Sequence, residues 1–339
     1  MIQLNRENSE AIYVAKGISI ILVVISHCLF MNGADYQRWL NDILYAIHVP
    51  TFILLSGYLF AGHNVITNLS GYKILIKNKT KRIFIPFLMV GAITLLLKVA
   101  GSFFMKPLFP VNLKTCIYFI INPSHSFAPT LWFLYVLYEI FICYGIVYYI
   151  VNNGFRALYI FVFIFLLLSF GPWINTFMIG DLARFLPIFA VGYIVYIYYN
   201  LNKNGWLLGL FSVIFFVILI LFKDDLYNLY FFGRIYGLII ALLGAFSCFS
   251  IAMLISRHKN IFHNLLKYIG VFSMVIYLFH TLTMSTFNTF FNMIQFMSHW
   301  FFLRALILVS LGVLFPILLE KYIFRKYAIL GKLILGVRK

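Results

Sequence analysis

Residues 12–31, IYVAKGISIILVVISHCLFM, make an apolar run as long as the hydrocarbon core of a bilayer is thick. About nine more follow, near 43–62, 83–101, 130–151, 156–173, 183–200, 206–222, 235–255, 269–290 and 302–322. Lipid offers no hydrogen bonds, so every backbone N–H and C=O in such a run must be satisfied within the segment, which makes each run a helix. The chain is 63% hydrophobic and 10% charged over 339 residues, more apolar surface than a soluble domain of that size can hide. The sequence therefore predicts an all-α polytopic membrane protein of about ten transmembrane helices, a single domain over residues 1–339. Leu113–Asn122 is too short to span and is expected at the interface.

A net charge of +17 would suit nucleic acid only if the cations shared a solvated face. Here they fall in short loops between apolar runs, so nucleic acid is not an expected partner and membrane lipids are. Of 26 Lys and Arg, only Arg38, Lys98, Lys106, Lys114, Arg184, Lys223, Arg234 and Arg304 fall on the side opposite the N-terminus. By the positive-inside rule both termini are cytoplasmic, which an even number of spans satisfies. The first run is too long for a cleaved signal peptide and lacks a small-residue cleavage site before the next polar stretch. The four cysteines, Cys28, Cys116, Cys143 and Cys248, have no metal-ligand spacing, so no metal site is expected.

Against this apolar background the polar residues inside the runs stand out, because an ionisable group in hydrocarbon is expensive. Lys16 and His27 lie on one run, eleven steps and roughly 16 Å apart along a helix. His27 is either a packing histidine or a general base, imidazole being the side chain best suited to move a proton near neutral pH. Lys16 by itself reads as an interface anchor. His48 enters span 2 at a similar depth, with Ser56 and Gly57 deeper, where small residues favour close helix approach. Lys79 and Arg82 belong to NKTKRIFIP, the densest cationic stretch, which serves topology or grips an anion. Trp132 suits an aromatic belt, while Glu139 falls near the midplane and needs a partner or a proton. Asp181 and Arg184 are spaced for a local ion pair at the rim of span 6. Ser273, Tyr277 and His280 form a polar stripe on span 9, which must face protein or water.

In this order the motifs resemble those of the acyltransferase-3 family of multi-pass membrane acyltransferases. The family's first helix carries Arg or Lys, ten residues and His, matched by Lys16 and His27. An FFxxSGYLF-like helix is matched by FILLSGYLF, and a basic KxxRIxxP junction by Lys79, Arg82, Ile83 and Pro86. LWFL at Leu131–Leu134, an RFxPxFxxGY-like helix at Arg184–Tyr193 and SxxIYLxH at Ser273–His280 complete the likeness. It covers nearly the whole chain. One departure is the Lys at position 16 where many members have Arg, which removes a bidentate phosphate contact.

The resemblance implies transfer of an acyl group, usually acetyl, from cytoplasmic acyl-CoA to a glycan or lipid-linked glycan hydroxyl in the bacterial inner membrane. Acetyl-CoA would be the donor substrate, with no metal. Lys16, Lys79 and Arg82 would hold the coenzyme, and His27 and Glu139 would be catalytic. His48, Ser56, Trp132, Arg184, Tyr277 and His280 would line the acceptor site. Either His27 takes the hydroxyl proton or it carries the acyl group itself. The rival class is a transporter or flippase of lipid-linked sugars, for which interrupted spans in paired halves would speak; Pro187 and Gly192 are the only hint.

Overall fold

A computed structural model describes residues 6–30, 35–62, 66, 68–102, 111–198, 201–222, 230–293 and 300–336. Among the cations counted above, Lys106, Lys223, Arg338 and Lys339 lie outside these residues. The described chain is helical throughout. In order come α1 (Arg6–Phe30), α2 (Asp35–Gly62), α3 (Leu69–Lys79), α4 (Ile85–Ser102), α5 (Leu113–Ile121), α6 (Trp132–Val151) and α7 (Gly154–Phe170). There follow α8 (Ile179–Tyr198), α9 (Leu201–Leu221), α10 (Tyr230–Arg257), α11 (Ile261–Val271), α12 (Ser273–Met293), α13 (Phe301–Leu319) and α14 (Ala328–Leu335).

Among the described residues, seven helical stretches are long and apolar enough to cross a bilayer: Ser9–Leu29, Trp39–Gly62, Leu69–Ser102, Pro129–Val151, Thr176–Ile197, Phe231–Arg257 and Phe302–Phe324. The pair α11 and α12, bent by 78°, brings the count to eight if it is one broken span. Of the other expected spans, the fifth falls on the apolar helix α7 and the seventh on α9. The outward faces are oily: Phe302 is 82% exposed and Ile150 72%, as lipid-facing side chains should be. Leu113–Ile121 is a nine-residue helix with a capping box at Asn112 and Thr115, too short to span.

Two π-helical turns interrupt the ladder, Thr80–Phe84 between α3 and α4 and Glu320–Phe324 after α13. Such turns carry i→i+5 bonds and recur at functional sites. The first of them presents Lys81 and Arg82.

Helix α1 is the hub. It packs against α2, α10, α11, α12 and α13. Its contact with α11 is backbone to backbone: a Cβ on Gly17 would lie 2.1 Å from the Leu266 carbonyl oxygen, and one on Gly270 1.8 Å from that of Tyr13. Only glycine allows that approach. At the same contact the Lys267 ammonium donates to Glu10 Oε1 at 2.9 Å. Held to α1 in this way, α11 leaves the line of α12, and the chain turns at Phe272. A second glycine pair joins α2 to α8, where Cβ atoms on Gly57 and Gly192 would meet the Phe189 and Leu54 carbonyls at 2.0 and 2.1 Å. That is the close approach expected of the Ser56–Gly57 pair.

Candidate active site

Two stations lie along α1, one cationic and one made of imidazoles. At the first, Lys16 is half-buried between the buried residues Ala15 and Gly17. Lys79, from the end of α3, interacts electrostatically with both Lys16 and Arg82. Its ammonium sits 3.6 Å from the centre of the Phe141 ring, a cation–π contact that holds it in place. The described ion pairs go to Glu10 and Glu320, and none reaches Lys16, Lys79 or Arg82. Three like charges gathered without a counter-charge repel one another, and an anion arriving there relieves that repulsion.

The second station is roughly 16 Å further along α1, by the rise of an α-helix. His27 meets His280 of α12 with ring centroids 5.1 Å apart and planes tilted by 46°. His48, buried on α2, is within electrostatic reach of both. The Tyr45 ring stands edge-on to His48 at 5.7 Å and stacks on Trp132 at 6.1 Å, and Trp132 stacks on Phe185 at 6.0 Å. Tyr277 packs on Phe133 at 5.4 Å, and its hydroxyl donates to the Thr130 carbonyl. The Thr130 and Thr281 hydroxyls bond at 3.1 Å, so α12 is stitched to the turn that opens α6. His27, His48, Trp132, Tyr277 and His280, far apart in sequence, thus share one neighbourhood. Among the described residues no three His, Cys, Asp or Glu side chains could hold a metal ion.

A family model described as an acyltransferase domain matches residues 10–321. The chain belongs to the acyltransferase-3 family. Neither the curated proteins nor the solved structures contain a match to it. Both stations fall within the matched residues, as do all the motifs of the sequence reading.

The remaining site candidates of this acyltransferase-3 domain lie elsewhere. Glu139 hydrogen-bonds with Tyr135 one turn back, and its Oε2 is buried without a partner. Its neighbours on α6 face the α3–α4 rod: Tyr135 packs on Phe87, Tyr138 stacks on Phe84 at 4.9 Å, and the Tyr138 and Thr80 hydroxyls bond at 2.8 Å. Among the described residues no hydrogen bond, ion pair or ring contact joins Glu139 to His27. The Ser56 hydroxyl donates to the Phe52 carbonyl of its own helix at 2.7 Å. Arg184 lies against the Phe185 ring at 5.7 Å with its Nε buried and unpartnered. Asp181 interacts with it electrostatically, and no described ion pair closes between them.

Glu10 is the residue that sequence reasoning missed. It collects Lys267 at 2.9 Å, His263 Nε2 at 3.7 Å and Lys259 at 4.0 Å. Its signal was scarcity, because only nine acidic residues occur in a chain of 26 Lys and Arg. An acid six residues before Lys16 had to answer some cation, and it answers those on and just before α11 rather than the coenzyme candidates.

Proposed function

We propose that this acyltransferase-3 domain is an O-acetyltransferase of the bacterial inner membrane. It moves an acetyl group from cytoplasmic acetyl-CoA to a hydroxyl of a surface polysaccharide or its lipid-linked precursor. The observation that carries the reading is the pairing of the two stations on one helix: uncompensated cations at one end and convergent imidazoles roughly 16 Å away. Acetyl-CoA is a polyanion with its thioester at the far end of a flexible arm. Its phosphates suit Lys16, Lys79 and Arg82, on the side the cation bias makes cytoplasmic. The arm then runs between helices toward His27. An acceptor hydroxyl entering from the other face meets it there.

His27 takes the hydroxyl proton as the oxygen attacks the thioester carbon. The C–S bond breaks, the new C–O bond completes the ester, and the coenzyme sulfur leaves with the proton that His27 returns to it. His48, Ser56, Trp132, Arg184, Tyr277 and His280 face or frame the acceptor. Glu139, on the α6 face turned to the α3–α4 rod, acts from the donor side by holding the coenzyme arm in place. A two-state helix rearrangement is not needed for such a transfer, because donor and acceptor approach one site from opposite faces.

The test is ester analysis of the host's surface glycans by NMR and mass spectrometry, with the gene deleted and restored. Loss and recovery of acetyl esters, with glycan abundance unchanged, is the expected result. Normal esters with depleted surface glycan would overturn the reading in favour of transport. Cysteine labelling tests the sidedness: a cysteine beside Arg82 should resist an impermeant thiol reagent added outside, and one in the 102–129 connection should react.

A further inference from the structure

His280 is placed too carefully for a wall of the acceptor site. Its Nδ1 lies 3.0 Å from the Ile276 carbonyl oxygen and 2.8 Å from that of Tyr277, both one turn back on α12. A carbonyl can only accept, so Nδ1 carries the hydrogen. A neutral imidazole has one N–H, which leaves Nε2 as a bare acceptor. That Nε2 is buried and has no hydrogen-bond partner, in a residue with no exposed surface. A buried acceptor left unmatched costs the desolvation of its lone pair, so a donor belongs beside it.

The surroundings leave one candidate. With Nδ1 turned back onto α12, the Nε2 edge points away from that helix, toward its neighbours. Tyr277 packs 6.0 Å away, and its hydroxyl hydrogen is already given to Thr130. His48, whose Nδ1 is likewise buried without a partner, reaches His280 through its field alone, and among the described residues it makes no ring contact with His27 or His280. His27 is in ring contact at 5.1 Å and is itself half-buried, with no described hydrogen bond of its own.

We propose that His280 is a positioning residue: a turn of the adjacent His27 ring brings its N–H to the His280 Nε2, and this bond fixes His27 in one tautomer and one orientation. The other ring nitrogen of His27 then holds its lone pair toward the reacting hydroxyl. When His27 takes the proton, the same hydrogen bond becomes charge-assisted and steadies the imidazolium until the proton passes to the leaving sulfur. The backbone of α12 anchors the relay, so the tautomer is set by helix geometry rather than by a carboxylate. This role rests on the reading of His27 as the base. Holding the base in the wrong tautomer is costly even where overall geometry survives.

The experiment compares His280→Leu, which keeps the volume and removes the acceptor, with His280→Gln, whose amide oxygen can stand near the Nε2 position. Purified full-length protein, labelled with ¹⁵N-histidine, gives the His27 ring signals, assigned by their loss in His27→Asn. The wild type should show one His27 tautomer, His280→Leu a mixture, and His280→Gln the wild-type pattern. Turnover of acetyl-CoA should fall by about 10²–10³ in His280→Leu and recover to within about tenfold in His280→Gln, with acetyl-CoA affinity unchanged in both. An unaltered His27 signal in His280→Leu would overturn the proposal, whatever the activity. Full turnover by His27→Asn would instead sink the base reading and leave the tautomer result standing, so the two failures are separable.

Discussion

The two stations on α1 are built by opposite means. At the cationic end, charges are brought together and left without a counter-charge, while the helix beside them is locked by glycine contact and by Glu10. At the imidazole end, no charge is needed to hold anything. The rings meet edge and face, and the His280 Nδ1 is tied to backbone carbonyls one turn back on its own helix. The first arrangement is poised to bind, because an incoming anion lowers its energy. The second is poised to react, because an imidazole keeps one ring nitrogen as an acceptor for a hydroxyl proton. A single substitution should therefore break turnover at one end and donor affinity at the other.

The sharpest break is His27→Ala. Removing a general base costs roughly 10²–10⁴ in rate. The protein should still insert, and acetyl-CoA should still bind, since the cations lie about 16 Å away along α1. Acetylation in a well-expressed His27→Ala strain at the wild-type level would leave the imidazole station a packing feature.

Next in size comes Lys16. Lys16→Ala should weaken acetyl-CoA binding about tenfold to a hundredfold, the range of one charge-assisted contact, and Lys16→Arg should retain it. Lys79→Met should do the same while leaving the Phe141 ring in place. Calorimetry on purified variants makes the measurement. Equal affinity in wild type and Lys16→Ala would reduce Lys16 to an anchor and remove the contrast between the two ends.

How much of this was open to a reading of the sequence depends on the range of the forces involved. Hydropathy is local, so the long apolar helices were legible, as was the polar stripe Ser273–Tyr277–His280. The fifth and seventh runs are helices as well, α7 over 17 residues and α9 over 21. The break at Phe272 was not legible. It arises because Gly270 seats against Tyr13 of α1, a contact between opposite ends of the chain. The same holds for the site. Lys16 and His27 announce themselves by being ionisable in an apolar run, but nothing near either residue states that His280 lies beside one and Lys79 beside the other. Glu139 shows the reverse case. Its place in an apolar run was legible, but the direction it faces was set by how α6 rotates onto the α3–α4 rod.

The smallest expected effect concerns a segment beyond the matched residues. Helix α14 packs on α4 and on the second π-helical turn, and it ends at Gly336, whose φ of +63° lies in the left-handed region. A Cβ there would fall 2.2 Å from the Lys81 carbonyl oxygen and 2.6 Å from the Arg82 Cα. Gly336→Ala thus adds a left-handed strain of about 1–2 kcal/mol to a clash with backbone that cannot swing aside. The end of α14 must lift, or the turn carrying Arg82 must move. Lifting leaves donor binding intact and loosens only the C-terminal helix; moving the turn disturbs the cations. Because the turn is continuous with α3 and α4 and is held by the Tyr138–Thr80 hydrogen bond, most of the shift should fall on α14, with acetyl-CoA affinity down by no more than about fivefold. Gly101→Ala is the matched control: a Cβ there meets nothing within 4 Å, and the helix gains about 1 kcal/mol of propensity. Thermal unfolding and acetyl-CoA titration of both variants separate the outcomes. A loss of affinity in Gly336→Ala as large as that in Lys16→Ala would make the C-terminal helix part of the cationic station itself.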